Sequence, residues 1–215
     1  MKQIITKDNS ITFHSDEYDE TYHSISGAVE EAFKKFVEPA IDFIKGKDEV
    51  SILDVGFGLG YNSAVAIDKI LEENLSCEIE IVGIEKDEKI LDKIKSLQPI
   101  IKTYYVIKDT VKNQCYYNCE GIRIRILVCD AVEGIKKVKE KFDIILHDPF
   151  SPKKNPELWT ESFFKELRKL IKKDGVLTTY SCARIVRDNL KKAGFKVQDG
   201  PCVGRRAPST IATPL

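Results

Sequence analysis

A glycine-rich turn after a short apolar run is the first place where this sequence could do chemistry. The apolar run covers residues 50–55, and Gly56, Gly58 and Gly60 follow it with G-x-G-x-G spacing. Glycines permit a tight turn and let a ligand lie close to the backbone, and the next helix presents free amide groups beside that turn. Dinucleotide sites use G-x-G-x-x-G instead, so the turn predicts a different nucleoside ligand.

Carboxylates follow three successive apolar runs. Asp54 lies two residues before the first glycine, where it would repel a pyrophosphate but suits the ammonium of a cationic amino-acid cofactor. Glu85 ends the second run and is expected to accept two ribose hydroxyls. Asp130 ends the third, where it would accept an adenine amine flanked by Ala131. The set predicts S-adenosylmethionine as cofactor. Alternatively, each acid is a helix cap or strand-end residue, above all Asp130, because Asp before Ala suits a cap.

An Asp148-Pro149-Phe150 step follows the fourth apolar run. A nitrogen that accepts a methyl group must present its lone pair, and hydrogen-bond acceptors that hold its N–H groups orient that pair. A nearby carboxylate also stabilises the positive charge that grows on nitrogen. We therefore predict that Asp148 is catalytic and also contacts the cofactor. The alternative is that Asp-Pro only makes a turn.

The protonation state of the acceptor limits what this carboxylate does. An alkylamine is largely protonated near neutral pH, as lysine is with its pKa of about 10. Asp148 is able to take the proton, but its charge also favours the ammonium. We therefore expect Asp148 to act mainly in positioning, and we assign no role to His14, His23 or His147.

The elements that must position these residues alternate along the chain. Expected strands cover residues 50–55, 79–84, 122–128, 142–146, 176–180, 195–197 and, at the tail, 210–213. Expected helices cover residues 28–44, 61–73, 87–96, 131–138, 155–171 and 184–193, with Pro39 kinking or breaking the first. Residues 97–120 are expected to be irregular or to add a strand. Such alternation predicts a parallel sheet covered on both faces, with ligands at the carboxyl ends of its strands.

The fold class predicted is therefore α/β, a Rossmann-like, seven-stranded, mostly parallel, doubly wound sheet. Residues 1–48 are expected to form a helical or irregular N-terminal extension that packs over the site. Residues 49–215 are expected to form the methyltransferase domain, and the two parts one globular unit. A length of 215 residues fits a single domain.

Composition limits the partners and the location. Lys plus Arg and Asp plus Glu both number 34, so net charge argues neither for nor against nucleic acid. No apolar run approaches the roughly 20 residues of a membrane span, and the N-terminus does not resemble a secretory signal. We expect a cytoplasmic protein without a membrane partner. The six cysteines are expected to be free thiols. Zinc at Cys115 and Cys119 is the alternative, and no metal is predicted.

Four segments together resemble the methyltransferase half of the MnmC-type enzymes, which finish 5-methylaminomethyl-2-thiouridine at the tRNA wobble position. Residues 148–164, DPFSPKKNPELWTESFF, closely resemble the signature D-x-F-x-P-x-K-N-P-x-x-W. Residues 56–62 resemble G-F-G-x-G-x-N, which implies that Phe57 and Asn62 also serve the cofactor. Residues 13–22 and 181–195 resemble two further segments of the family. The Gly-Arg-Arg at 204–206 is similar to the family's terminal G-R-K, although the residues after it depart from the family pattern.

The resemblance implies a substrate and its partners. The methyl acceptor would be the primary amine of 5-aminomethyluridine in the anticodon region of tRNA, and the product 5-methylaminomethyluridine. The implied substrate-binding residues are Tyr22, Pro149, Phe150, Lys153, Lys154, Arg205 and Arg206. Solvated helix faces explain the basic clusters equally well, and Trp159 either stacks on a base or belongs to the core. No residues remain for the family's flavin oxidoreductase half, so we expect other enzymes to supply the amine.

Two alternatives stay open. A methyltransferase of another amine, in a small molecule or a protein, would label spermidine or protein but not tRNA. A nucleotide-binding Rossmann domain of the dehydrogenase type, or a non-enzymatic binding module, would bind NAD rather than S-adenosylhomocysteine. The glycine spacing and Asp54 count against the second alternative.

Overall fold

Eleven strands and seven α-helices make up the described chain. The structure is a computed structural model that describes residues 1–73, 77–204 and 206–215. The strands are β1 Lys2–Ile5, β2 Ile11–Ser15, β3 Glu20–Thr21, β4 Glu49–Val55, β5 Glu78–Glu85, β6 Tyr116–Cys119, β7 Ile122–Val128, β8 Phe142–His147, β9 Ile171–Thr179, β10 Phe195–Asp199 and β11 Thr210–Pro214. The α-helices are α1 Ala28–Glu31, α2 Tyr61–Glu72, α3 Glu88–Ile94, α4 Tyr104–Lys112, α5 Ala131–Gly134, α6 Glu161–Leu170 and α7 Arg184–Lys192.

The main sheet has eight strands in the order β10-β11-β9-β8-β4-β5-β7-β6. The five central strands are parallel, while β6 runs antiparallel to β7, and β11 runs antiparallel to β9 and β10. Strand order reverses between β4 and β8, which is where ligands bind in sheets of this kind. The predicted doubly wound α/β fold is confirmed, with β6 as an eighth strand beyond the seven expected.

Strand β4 shows why the central runs are mainly apolar and do not alternate with exposed polar residues. Its residues alternate between two hydrophobic clusters: Ile52 packs on one face of the sheet, whereas Leu53 and Val55 pack on the other. Both faces are covered, so each residue after Glu49 is buried. A parallel strand that is buried on both sides gives a continuous apolar run instead of an alternating one.

A buried carboxylate fixes the lower edge of the sheet, opposite the carboxyl ends of the strands. Asp143 on β8 is fully buried and accepts hydrogen bonds from Lys47 Nζ at 2.6 Å and Lys172 Nζ at 2.8 Å. Ser51 on β4 donates to it from both its amide and its hydroxyl, each at 2.8 Å. Burial raises the pKa of Asp143, but these hydrogen bonds outweigh it, and the pKa is lowered overall.

The N-terminal segment contains a second sheet that the sequence analysis did not predict. Strands β1, β2 and β3 form an antiparallel sheet in that order, which corrects the expectation of an irregular stretch before residue 28. The helical prediction for residues 28–44 holds, but the turns change type. After α1, Ala32–Val37 is a π-helix and Glu38–Phe43 a 3-10 helix. Pro39 lies at the start of the 3-10 turns, where its missing N–H breaks the helical hydrogen-bond pattern.

Two other stretches differ from expectation. Residues 97–120 contain helix α4 as well as the extra strand β6. The helix expected over 155–171 divides into a 3-10 turn, Pro156–Trp159, and α6. Thr160 caps α6 by accepting from the Phe163 amide at 3.2 Å, whereas the Asn155 side chain bonds to Glu157 and caps nothing.

Three further observations concern partners and bonds. Among the described residues, no helix is both long and apolar enough to cross a membrane. The six cysteines are free thiols. Within the same residues, no group of three or more His, Cys, Asp or Glu side chains is placed to hold a metal.

Candidate active site

The glycine turn joins β4 to α2 and presses against the loop after β8. Gly56, Gly58 and Gly60 have φ values of 81°, 52° and 71°, in the left-handed region that favours glycine. A Cβ on Gly56 would lie 2.7 Å from the backbone oxygen of Asp148. Only glycine therefore lets the two loops come this close.

Glu85 is held rigidly at the carboxyl end of β5. Its Oε2 accepts from the Gly58 amide at 2.8 Å, and its Oε1 accepts from the amides of Lys86 and Asp87, also at 2.8 Å. Burial raises the pKa of Glu85, while these three N–H groups lower it, and the net direction is upward. The carboxylate is thus oriented before any ligand binds.

The first cavity lies above the carboxyl ends of β4, β5 and β7 and has a volume of about 290 Å³. The predicted site residues that line it are Tyr22, Gly56, Gly58, Glu85, Asp130, Ala131, Asp148, Pro149 and Phe150. The structure thus brings together residues that are widely separated in sequence. The cavity reaches from the glycine turn to the Asp-Pro-Phe step.

A second cavity of about 200 Å³ lies on the other side of the same step. Tyr22, His23, Asp148, Pro149 and Phe150 line both cavities. The Phe150 ring packs edge-on against Tyr22 at 4.9 Å and stacks on Tyr18 at 4.4 Å. The two cavities therefore meet at Asp148, beside a small aromatic cluster.

Asp148 is half-buried and tied to both neighbouring loops. Its amide donates to the Val55 oxygen at 2.9 Å, and its Oδ2 accepts from Asn62 Nδ2 at 2.9 Å. Burial raises the pKa of Asp148 well above its usual value, the negative charge of Glu31 raises it further, and the hydrogen bond from Asn62 opposes both. A cation nearby would restore the ionised form.

Asp54 lies beneath the turn and is fully buried. Its Oδ2 accepts from Ser63 Oγ at 2.7 Å, while Oδ1 has no hydrogen-bond partner among the described residues. Burial raises the pKa of Asp54 to about 7. The side-chain oxygen of Asn62 is also buried, and no described residue donates a hydrogen bond to it. Neither Asp54 nor Asn62 lines the first or the second cavity, although Asn62 bonds to Asp148, which lines both. Two buried acceptors without partners among the described residues suit a cationic donor, because unpaired polar atoms are costly to bury.

Other predicted cofactor residues lie outside the cavities. The Phe57 ring belongs to the core and lies so close to Gly83 that a Cβ there would be 2.5 Å from it. Gly60 faces Phe57 and Ile107 in the same core. Both residues therefore shape the turn from below, and the Phe57 side chain is not brought to the ligand side.

Asp130 caps a helix and also lines the first cavity. Its Oδ1 accepts from the Val132 amide at 2.9 Å, so it caps helix α5, as the capping alternative held. The residue also lines the first cavity next to Ala131. A cap and a ligand contact are compatible, because a carboxylate has two oxygens.

The predicted basic contacts lie on the surface. Lys153 and Lys154 are exposed, and Lys154 Nζ pairs with Asp19 at 3.3 Å. Arg206 is exposed, and Arg205 lies outside the described residues. Of the three described residues in this set, Lys153, Lys154 and Arg206, none lines either cavity.

Trp159 belongs to the core and not to a stacking surface. It is only 3% exposed, and its Nε1 donates to the Phe150 oxygen at 2.8 Å. It thereby supports the Asp-Pro-Phe step from behind. His147 packs against Trp159 and Phe164, and burial lowers its pKa to about 3, which makes it a poor base at neutral pH.

Sequence reasoning missed several residues that line the cavities. Tyr18 lines the first cavity, His23 lines both, and Glu31 and Lys35 line the second. Burial lowers the pKa of His23 to about 4, so its ring is neutral near pH 7. For Glu31 and Lys35, the sequence does offer one signal. They have the i, i+4 spacing of an ion pair, and they lie on the face of the helical segment 28–44 that also carries apolar residues.

The comparisons with known proteins identify the family. The model of a family described as S-adenosyl-L-methionine-dependent methyltransferase matches residues 93–214. The chain belongs to this methyltransferase family. A crystal structure of MnmC2 from Aquifex aeolicus superimposes with a TM-score of 0.84 at 35% identity, covering 99% of this chain and 70% of that one. The methyltransferase therefore has an MnmC-type domain.

Two sequence relatives extend this comparison. An uncharacterized protein of Methanocaldococcus jannaschii is 34% identical over 216 residues, which cover 97% of this chain and 58% of that protein. The tRNA 5-methylaminomethyl-2-thiouridine biosynthesis bifunctional protein MnmC of Leptospira interrogans is 29% identical over 232 residues, covering 98% of this chain and 35% of that protein. The methyltransferase thus spans little more than half of the first relative and about a third of the second.

The family assigns S-adenosylmethionine as cofactor, and the residues present fit it. The unpartnered Asp54 Oδ1 suits an ammonium, and the anchored Glu85 carboxylate suits a ribose diol. Gly56 and Gly58 line the first cavity, so a ligand there lies next to the backbone of the turn. The alternative of a dehydrogenase-type nucleotide site does not agree with the family match.

Proposed function

We propose that this methyltransferase transfers a methyl group to the primary amine of 5-aminomethyluridine at the tRNA wobble position, giving 5-methylaminomethyluridine. The observation that carries the proposal is the position of Asp148, which faces both cavities. The 35% identity to an MnmC2 and the tRNA-modifying name of the Leptospira relative support the choice of substrate.

In this proposal the first cavity binds the cofactor, which supplies an electrophilic methyl group when bound. Asp54 and Asn62 hold its amino-acid end, and Glu85 accepts from its ribose. Asp130 and Ala131 contact the adenine. The glycine turn forms the floor of the first cavity. Gly56 and Gly58 line the cavity, and Phe57 and Gly60 lie beneath them in the core.

Asp148 positions the acceptor amine and is suited to receive a proton from it. The arriving ammonium must lose one proton before its nitrogen has a free lone pair, and a carboxylate with a raised pKa is a better base than an exposed one. The neutral amine would then form the N–C bond as the bond from that carbon to the cofactor sulfur breaks. A secondary ammonium and S-adenosylhomocysteine would leave, and Asp148 would release its proton to solvent. Asn62 holds the Asp148 carboxylate in place throughout.

The second cavity and its surroundings bind the RNA. Tyr22, Pro149 and Phe150 are proposed to contact the splayed wobble base, since RNA readers stack single bases on aromatic rings. Lys153, Lys154, Arg205 and Arg206 are proposed to contact phosphates, which would make affinity depend on salt. In this proposal the aminomethyl group is already present on the uridine when methyl transfer begins.

The two parts of the chain have separate tasks in this proposal. Residues 49–215 form the catalytic unit, and residues 1–48 cover its site. Tyr22 OH donates to Asp87 Oδ2 at 2.7 Å, and Glu20 Oε2 accepts from the Ser151 amide at 3.0 Å. These contacts fasten the N-terminal sheet over both the β5 edge and the loop after β8.

Mass spectrometry of wobble nucleosides tests the proposal. Aminomethyl-bearing tRNA is incubated with the pure protein and S-adenosylmethionine, and we expect a gain of one methyl group on 5-aminomethyluridine. The matched control is the same tRNA without the aminomethyl group, which should gain nothing. Methylation of spermidine or protein, with none of tRNA, would establish the other-amine alternative instead.

A further inference from the structure

A buried ion pair lines the second cavity and has no role in the mechanism so far. Glu31 and Lys35 lie one turn apart, with side chains only 13% and 5% exposed, and their Oε1 and Nζ atoms are 2.5 Å apart. The other carboxylate oxygen of Glu31 accepts from the Ser24 amide at 3.0 Å. Both partners of the pair therefore have fixed positions at the cavity wall.

Removing two charges from water is expensive, and an apolar pair of the same size would often be at least as stable. The neighbouring pair shows the contrast. Lys34 and Glu30 have the same spacing, but their side chains are 47% and 41% exposed and lie 3.2 Å apart. The structure thus places one such pair in solvent and buries the next one at the cavity that shares Asp148.

The pair has unused hydrogen-bonding capacity on the Lys35 side. An ammonium has three donors, and the described residues provide one hydrogen-bond acceptor, Glu31 Oε1, for Lys35 Nζ. Glu31 cancels the charge of Lys35, so a cationic amine is not driven away from Asp148. What remains is a fixed N–H donor on a side chain that is only 5% exposed, and a hydrogen bond from such a shielded group to a carbonyl oxygen is stronger than one in water.

We propose that Lys35 is a specificity-determining residue that donates a hydrogen bond to a carbonyl oxygen on the ring of the acceptor base. The inference rests on the proposed function, because a 5-aminomethyl uracil carries a carbonyl next to the carbon that bears the aminomethyl group. With the amine at Asp148 and the carbonyl at Lys35, two contacts fix the base in its plane. Glu31 is the positioning residue that holds Lys35.

The test compares Lys35→Met with Lys34→Met in steady-state methylation of aminomethyl-bearing tRNA. We expect Lys35→Met to raise the KM for tRNA about tenfold to a hundredfold, as for loss of a charged hydrogen bond, with kcat within about threefold. Binding of S-adenosylhomocysteine, at the first cavity, should stay within about twofold. Lys34→Met should leave all three values unchanged.

Lys35→Met leaves the Glu31 charge buried without its partner, so the double variant Glu31→Gln/Lys35→Met is measured with it. If only the double variant folds, the same rise in KM is expected from it. An unchanged KM in either folded variant overturns the inference, as does a loss of S-adenosylhomocysteine binding that parallels the rise in KM. Wild-type inactivity on this tRNA would refute the proposed function instead.

Salt dependence separates a base contact from a phosphate contact. A lysine that contacts phosphate contributes about one to the slope of log affinity against log salt. We expect the slope for tRNA binding to be the same in wild type and Lys35→Met. A slope smaller by about one in the variant would assign Lys35 to the RNA backbone and overturn the proposal.

Discussion

Three carboxyl groups with raised pKa values lie at the carboxyl ends of strands β4, β5 and β8. Asp54, Glu85 and Asp148 are all pushed upward mainly by burial. Such groups are costly without cations nearby, and the proposed reaction brings two positive charges, a sulfonium and an ammonium, into this region. The acids are therefore arranged for charged ligands more than for the stability of the free protein.

Replacing Asp148 tests its role directly. We expect Asp148→Ala to lower kcat at least about a hundredfold, since a preorganised group that stabilises transition-state charge is worth this much. S-adenosylhomocysteine affinity, measured by calorimetry, should change by only about threefold. Asp130→Ala is the control, and it should weaken cofactor binding but spare kcat at saturation. Near-normal kcat in Asp148→Ala would remove the assigned role.

The raised pKa of Asp54 predicts a pH dependence of cofactor binding. The carboxyl group must be ionised to bind an ammonium, and burial raises its pKa to about 7. Affinity for S-adenosylhomocysteine, which keeps the ammonium but lacks the sulfonium charge, should therefore fall as pH drops below 7, by up to about tenfold per unit. Calorimetry between pH 5 and 8 measures this slope.

Asp54→Asn provides the control for this pH dependence. The variant should bind weakly at pH 8 and show a much flatter profile, because asparagine does not titrate in this range. A wild-type profile that stays flat from pH 5 to 7 would contradict the assigned contact between Asp54 and the ammonium.

Among the elements, the turn between β4 and α2 is packed directly against the backbone of the loop after β8. Gly56→Ala would place a methyl group 2.7 Å from the Asp148 oxygen, so the loop after β8 must shift. We expect both cofactor affinity and kcat to fall about tenfold or more, since positioning errors of about 1 Å are costly in catalysis. Calorimetry and initial rates measure the two effects.

Gly46→Ala separates backbone strain from the clash. Gly46 has a φ of 76°, close to that of Gly56, but a Cβ on Gly46 would meet nothing within 4 Å among the described residues. Both variants therefore carry the left-handed penalty of about 1–2 kcal/mol, and only Gly56→Ala should lose activity. Equal losses in both variants would show that strain alone is responsible.

The central strands could be predicted from sequence because a short apolar run between two helices indicates a buried strand. Strands β4 and β5 are buried on both faces and read as nearly continuous apolar runs, whereas β7 alternates between buried and more exposed residues. The acids at or just after the carboxyl ends of these three strands, Asp54, Glu85 and Asp130, mark the ligand edge. Strand β1 could not be predicted, since it is short, largely exposed and paired with only one neighbour among the described strands. Strand β6 has the same character, and the sequence predicts it only as one of two alternatives for residues 97–120. Their exposed side chains carry no apolar period that a sequence could show.

The same limit applies to the site. Asp148 and Glu85 could be predicted because each follows its own strand, whereas Glu31, Lys35 and His23 join the site only when the N-terminal sheet folds over it. That folding depends on contacts more than sixty residues apart in sequence, such as Tyr22 with Asp87. Local patterns do not carry such information.

For the whole molecule, the N-terminal sheet should govern how fast the cofactor leaves. Tyr22→Phe removes the hydrogen bond to Asp87, and we expect the dissociation rate of S-adenosylhomocysteine to rise several-fold, up to about tenfold. Stopped-flow fluorescence of Trp159 or a labelled ligand measures it. Tyr116→Phe, at the exposed edge of the main sheet, is the matched control and should change nothing. Equal rates in wild type and Tyr22→Phe would argue against a covering role.

An aspartate lies near each end of strand β8, and the two differ in kind. Asp143 accepts hydrogen bonds from two lysines, Lys47 and Lys172. The Asp148 carboxylate accepts a hydrogen bond from the neutral Asn62 amide and has a raised pKa. The aspartate at the amino end of β8 thus stabilises the fold, whereas the one after its carboxyl end is available for a ligand. We therefore expect that substitutions around Lys47 and Lys172 can raise the thermal stability of this enzyme without changing its activity, because they lie at the end of the sheet opposite the site.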